Sequence, residues 1–218
     1  MDTQIVLYDG FDPLDVVAPY EVLTAGSDAA GGGPRVELVS AEGARDVVSG
    51  NRGLTLRATS VLDPDRPGFV VVPGVCGPVA GDPDAGVATI PVLLARFGTT
   101  AAVPLMRRAL DNPEVTVATV CGGSLALAMA GLLEGRYAVT HAQGMDMLEA
   151  TGVNAVPARV VDDGDLISGG GVTSGLDLAF HLLDHAYGPR IAHAVELLFQ
   201  YDRRGTVWAN TGRTPVEV

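Results

Sequence analysis

The stretch VTVATVCGGSLALAMAGLL, residues 115–133, constrains this chain more than any other. Val115–Val120 is β-branched apart from Ala118, the composition of a buried strand. Cys121 follows at once, then Gly122, Gly123 and Ser124, then a run of Ala, Leu and Met, all strong helix formers. A strand that passes through a nucleophile and glycines into a helix is a nucleophile elbow, here with cysteine in the serine's place. A thiol on such a turn faces the positive end of a helix, which favours the thiolate. Glycines after it let a substrate approach the backbone and leave N–H groups to bind an anion. A buried structural cysteine is the competing reading of the same residue.

Length and charge narrow the classes. A chain of 218 residues suits one α/β domain, residues 1–218, better than two. A net charge of −12 argues against nucleic acid and anionic membranes as partners. All 14 basic residues are Arg, so Schiff-base chemistry on lysine, a pyridoxal-phosphate anchor and a Walker A loop are excluded. Cys76 and Cys121, 45 positions apart, form neither a disulfide framework nor a zinc pattern. The N-terminus lacks a basic region, and no apolar run is long enough for a membrane span. A cytoplasmic protein with reduced thiols is expected.

Strands alternate with helices along the chain. Residues 4–8 read as a strand, and Asp12-Pro13 caps a helix continuing over residues 14–23. Strands follow at Val36–Ser40, at residues 54–59 as a hairpin arm, and at residues 69–72. Residues 88–97 and 103–110 read as helices, with Pro91 and Pro104 limiting their starts. After the elbow come a strand at 137–140, a helix at Met145–Ala150, and a hairpin of 156–162 with 166–168 about Asp163-Gly164. Helices over Ser174–Tyr187 and Pro189–Phe199 close the pattern, and the polar tail beyond Asp202 reads as irregular. Such alternation implies a mostly parallel sheet with helices on both faces, and ligands bind at the carboxyl ends of its strands. Loops 74–77, 121–124 and 169–171 fall there.

Five segments together resemble the DJ-1/PfpI superfamily, and within it the isonitrile hydratase branch. They are GFDPLDVVAPYEVL (residues 10–23), VVVPG (70–74), VCGGSLALAMAGLLEG (120–135), AVTHA (138–142) and ISGGGVTSGLDLAFHLL (167–183). The resemblance covers residues 4–202 and extends to the amidase-like ligand domains of AraC-type regulators. It implies a flavodoxin-like three-layer α/β sandwich, a homodimer, a small-molecule substrate and no cofactor. It makes Cys121 the nucleophile and Asp15 the acidic residue facing it. A protonated carboxyl there donates a hydrogen bond to sulfur and passes a proton to an intermediate. The plainer reading of Asp15 is a first-turn carboxylate favoured by the helix N-terminus, with Glu21 as a second, solvated one. By the same resemblance Gly74, Val75 and the Gly122 amide form an anion-stabilising pocket, and His141 lines the site.

The chain also departs from the pattern. Many relatives carry Gly-Gly after the proline, where this chain has Gly74-Val75; isonitrile hydratases carry threonine after the cysteine, where this chain has Gly122. PfpI-type proteases place histidine there, so their adjacent Cys–His pair is missing. His181 and His185 stand at metal-binding spacing, but no third ligand is legible beside them, so a polar helix face or dimer surface is expected and no metal. Cys76 reads as a small loop residue. The implied reaction is cysteine-dependent hydration of an isonitrile to an N-substituted formamide. A glyoxalase or amidase-type reaction, and a non-catalytic cysteine redox or ligand sensor, use the same equipment.

Overall fold

In the computed structural model, residues 1–82 and 86–213 are described. The strands are β1 (Asp2–Val6), β2 (Val36–Ser40), β3 (Arg45–Val48), β4 (Thr55–Ala58), β5 (Ser60–Val61), β6 (Gly68–Val72), β7 (Val115–Val120), β8 (Tyr137–Ala138), β9 (Asn154–Ala155), β10 (Val160–Asp162), β11 (Leu166–Gly169) and β12 (Trp208–Ala209). The helices are α1 (Pro13–Ala29), α2 (Ile90–Phe97), α3 (Ala102–Asp111), α4 (Gly123–Met129), α5 (Met145–Ala150), α6 (Ser174–Tyr187) and α7 (Pro189–Phe199).

The central sheet has the order β12-β10-β11-β7-β6-β1-β2-β5. Every pairing in it is parallel except β10 with β11. The register lines Leu38, Ile5, Val71, Ala118 and Ile167 in one row across five strands. That row packs against α1, α6 and α7 through Val16, Val22, Leu178, Leu183 and Val195. The alternate residues Val70, Val117 and Leu166 face the other way, against Leu94, Phe97, Met106 and Leu127 of α2, α3 and α4. The period of two along each strand thus sorts apolar side chains into two cores. The result is the flavodoxin-like three-layer α/β sandwich.

Chain direction across the sheet reverses between β1 and β6, because β2 lies on one side of β1 and β6 on the other. Crevices at the carboxyl ends of strands flanking such a switch point are where ligands bind in open α/β sheets. The loops after β1, β6 and β7 meet there. Phe11 bridges Val75, Asp12 N–H donates to Gly74 O at 2.9 Å, and Cys76 N–H donates to Gly10 O at 3.1 Å.

Several elements differ from the sequence reading. α1 runs six residues past Leu23, through Gly26 and Ser27, because tertiary packing overrides their low helix propensity. A Cβ on Gly26 would stand 2.2 Å from Leu183 Cδ2, so this glycine lets α1 lie close on α6. The hairpin arm at β4 pairs with β3, a partner the sequence did not reveal. In the tail, β12 adds to β10 as an edge strand, so the expectation of irregular chain fails at Trp208–Ala209. Residues 214–218 of that tail lie outside the described residues.

The closeness of α1 and α6 gives a test. Gly26→Val should destabilise the fold by about 1–3 kcal/mol, the usual cost of overpacking, read as a lower urea midpoint with unchanged slope. An unchanged midpoint would show that Leu183 yields freely.

Candidate active site

The elbow forms where β7 enters α4. Cys121 takes a positive φ of 53°, a conformation that is strained for any residue with a side chain. It is held there on both sides: Cys121 N–H donates to Gly169 O at 2.9 Å, and Thr140 Oγ1 donates to Cys121 O at 2.9 Å. A Cβ on Gly123 would sit 2.2 Å from Val72 O, so the tight turn requires glycine at that position. Ser124 does not supply the hydroxyl that the branch carries after the cysteine; its Oγ donates to Val139 O at 2.6 Å, in the interior.

Asp15 lies in the first turn of α1, beneath the elbow, and is fully buried. Its Oδ2 accepts the Gly74 N–H at 2.9 Å. Its Oδ1 is buried with no partner among the described residues. Gly74 is pressed between this carboxyl and the elbow, since a Cβ there would stand 2.5 Å from Gly122 N and 2.9 Å from Asp15 Oδ2. The Gly74 N–H is therefore engaged in holding Asp15. The amides of Val75 and Gly122 are the ones beside the pocket. The Gly122 N–H is directed at the Cys121 sulfur.

Burial decides the protonation of this pair. Desolvation, then the nearby Asp12 charge, hold the Asp15 carboxyl well above the ordinary carboxylate range, against the opposing pull of the Gly74 N–H. The Cys121 thiol is likewise pushed well up by burial and by Asp15, outweighing the Gly122 N–H. This reverses the expectation that the helix end holds the thiolate. Desolvation of the nearly buried Cys121 opposes what the short helix α4 offers, and favours the thiol over the thiolate. The partnerless Oδ1 is the oxygen on which a proton of this raised-pKa carboxyl would sit.

Above the elbow lies a cavity of about 360 Å³. Cys121, Gly122, Val75 and His141 all line it, and its wall is mainly apolar, with Val79, Ile90, Leu94, Leu125, Met129 and Met147. Asp15 and Gly74 are not in that lining; they sit behind the elbow. His141 accepts Gln143 N–H on Nδ1 at 3.3 Å, capping a short turn. Cys76 shares the cavity, with its thiol pushed up to about 11, first by burial and then by Asp12 and Asp15. Glu21 is exposed and takes no part. Sequence reasoning missed Asp12 and Thr140. Asp12 reads as a helix cap, which it also is, accepting Leu14 N–H at 2.9 Å. Thr140 lies within the AVTHA segment, where only the histidine drew notice.

A mostly parallel α/β sandwich with a strained cysteine elbow beside its switch point defines the class. Comparison with known proteins then gives the family. The DJ-1/PfpI family pattern matches residues 95–185. Isonitrile hydratase of Pseudomonas putida is 33% identical over 198 residues, covering 90% of this chain and 76% of that protein. The chain belongs to the DJ-1/PfpI family. The HTH-type transcriptional regulator CdhR of Pseudomonas aeruginosa is 28% identical over 93% of this chain, which spans only 55% of the regulator. Among solved structures, a ThiJ/PfpI family protein from Pseudomonas syringae superposes with a TM-score of 0.74 at 24% identity, over 94% of this chain and 76% of that one. No helix among the described residues is long and apolar enough to cross a membrane.

The raised Asp15 pKa carries a signed consequence. While both folded and unfolded chains are protonated, burying Asp15 costs no ionisation energy. As pH rises past the unfolded value of about 3.9, only the unfolded state ionises freely, and the fold loses stability until the folded pKa is reached. Asp15→Asn keeps an acceptor for Gly74 N–H and removes this penalty. Its gain in Tm over wild type should be small near pH 4 and several degrees near pH 8. A gain independent of pH would show that Asp15 is buried as the carboxylate.

Proposed function

We propose that the protein hydrates an isonitrile, R–N≡C, to the N-substituted formamide, R–NH–CHO, with Cys121 as nucleophile and Asp15 as proton donor. The observation that carries this reading is the buried carboxyl with its unpartnered Oδ1 beneath a strained cysteine, under an apolar cavity. An isonitrile carbon is a weak electrophile until it is protonated, so a resting acid next to a resting thiol is the matched pair.

The atoms balance as follows. Asp15, behind the elbow, acts through Cys121: as Sγ bonds to the terminal carbon, the acid–thiol pair gives one proton to that carbon and the other stays on the Asp15 carboxyl. The product is a thioimidate, Cys–S–CH=N–R. Water adds to the same carbon, its hydroxyl staying there, and a proton reaches nitrogen through Asp15. The carbon–sulfur bond then breaks, the hydroxyl proton returns to sulfur, and the formamide leaves. The Val75 and Gly122 amides stabilise charge at the carbon's new oxygen. Thiol, acid and water account for every product atom, so the reaction needs no cofactor. The apolar wall selects an aliphatic or aromatic R group. With Gly122 in the threonine's place, the Thr140 hydroxyl, which donates to Cys121 O, supports the elbow. The reading carries with it a cytoplasmic homodimer.

Turnover of a simple isonitrile, followed by formamide appearance, tests it. Cys121→Ala should abolish product, and Asp15→Asn should lower kcat at least about 100-fold, the range for a lost general acid. Wild-type kcat should fall as pH rises through the Asp15 pKa, because the acid is then spent. Formamide at the wild-type rate from Cys121→Ala would contradict the mechanism. Similarity to the regulator CdhR favours a second reading, ligand sensing, which predicts saturable binding of small apolar molecules with no product.

A further inference from the structure

We propose that Asp162, His181 and His185 form a binding site for one transition-metal dication of the zinc class, pinning α6 to the antiparallel corner of the sheet. His181 and His185 stand one helical turn apart on α6, with ring centroids 4.5 Å apart. Asp162 ends β10 and supplies the third ligand that the histidine spacing lacks in the sequence. Its Oδ2 lies 2.8 Å from His181 Nε2 and 3.3 Å from His185 Nε2. The three ligand atoms all fall within 4.8 Å of one another. None of these residues lines the cysteine cavity.

The spacing suits an ion. Ligand bonds of about 2.0–2.1 Å place the corners of a tetrahedron about 3.3 Å apart. The His185–Asp162 edge already has that length. The His181–Asp162 edge must open by about half an ångström, replacing a hydrogen bond by two metal bonds. Each imidazole would bind through the Nε2 lone pair, with its ring proton on Nδ1. The carboxylate is oriented from behind, since Asp162 Oδ1 accepts Gly164 N–H at 2.9 Å. Such outer support is what fixes a metal ligand's direction.

Access and charge agree. His181 and Asp162 side chains are 16% and 14% exposed, whereas His185 is 43% exposed. An ion enters past His185 and keeps a fourth, water-filled position. The cations on adjoining segments are engaged elsewhere: Arg136 by Asp163 and Asp165, Arg203 by Asp184 and Glu196. Neutral histidines with a carboxylate select zinc, cobalt or nickel over calcium or magnesium. Because the site joins α6 to β10, occupancy should raise Tm.

The experiment is calorimetric titration of chelator-treated protein with Zn²⁺, repeated with Co²⁺ in the visible spectrum. One equivalent should bind, raise Tm, and give Co²⁺ ligand-field bands without a thiolate charge-transfer band. His185→Gln, a change at a partly exposed side chain, and Asp162→Asn should each weaken binding at least about 10-fold. Cys121→Ala should leave it unchanged, which separates this site from the catalytic thiol. Absence of saturable binding would overturn the proposal. So would binding that survives His185→Gln and disappears with Cys121→Ala.

Discussion

The Gly74 N–H donates to Asp15 Oδ2 inside the protein, with the other carboxyl oxygen left bare behind Cys121, and the architecture of the site follows from that bond. Gly74 lies near the start of the loop after β6, Asp15 in the first turn of α1, and Gly122 in the turn after β7. The Gly122 backbone and the Asp15 carboxyl press on Gly74 so closely that no methyl group fits there. One buried hydrogen bond thus ties the loop after β6 to the start of α1, beneath the elbow after β7 and beside the point where the strand order reverses.

That arrangement fixes the chemistry as much as the geometry. Burial raises the pKa of the carboxyl and of the thiol beside it, so both surroundings favour the protonated form. A thiolate nucleophile waiting for an ordinary electrophile would need the opposite environment, an electropositive and partly solvated one. A neutral acid–thiol pair instead suits a substrate that must be protonated as it is attacked. The strain at Cys121 and the bare Oδ1 both cost stability, and both sit where a reaction would use them.

Local signals made most of the fold legible. Val36–Ser40, Ser174–Tyr187 and Pro189–Phe199 have the bounds read from the sequence, and Gly188 and Pro189 punctuate the two helices. What stayed hidden depends on distant partners. β12 is two residues whose strand character comes from pairing with β10. The end of α1 is helical because Gly26 meets Leu183 across 157 positions of chain. At the site, the elbow was legible from its own residues and Asp15 through the family resemblance, while the burial acting on Cys121 was not legible. Charge at a turn is a local property, but desolvation is set by everything packed around it. The same limit concealed Asp162, which lies 19 residues before His181 and on another element.

The proposed addition requires Asp15 to be a protonated acid at neutral pH. Infrared difference spectroscopy of wild type against Asp15→Asn, in the carbonyl-stretch region at about pH 7, tests it directly. The expected result is a protonated carboxyl band in the wild type that the variant lacks. A difference spectrum showing only an ionised carboxylate would contradict it, and would leave Cys121 without the proton donor on which the proposed addition depends.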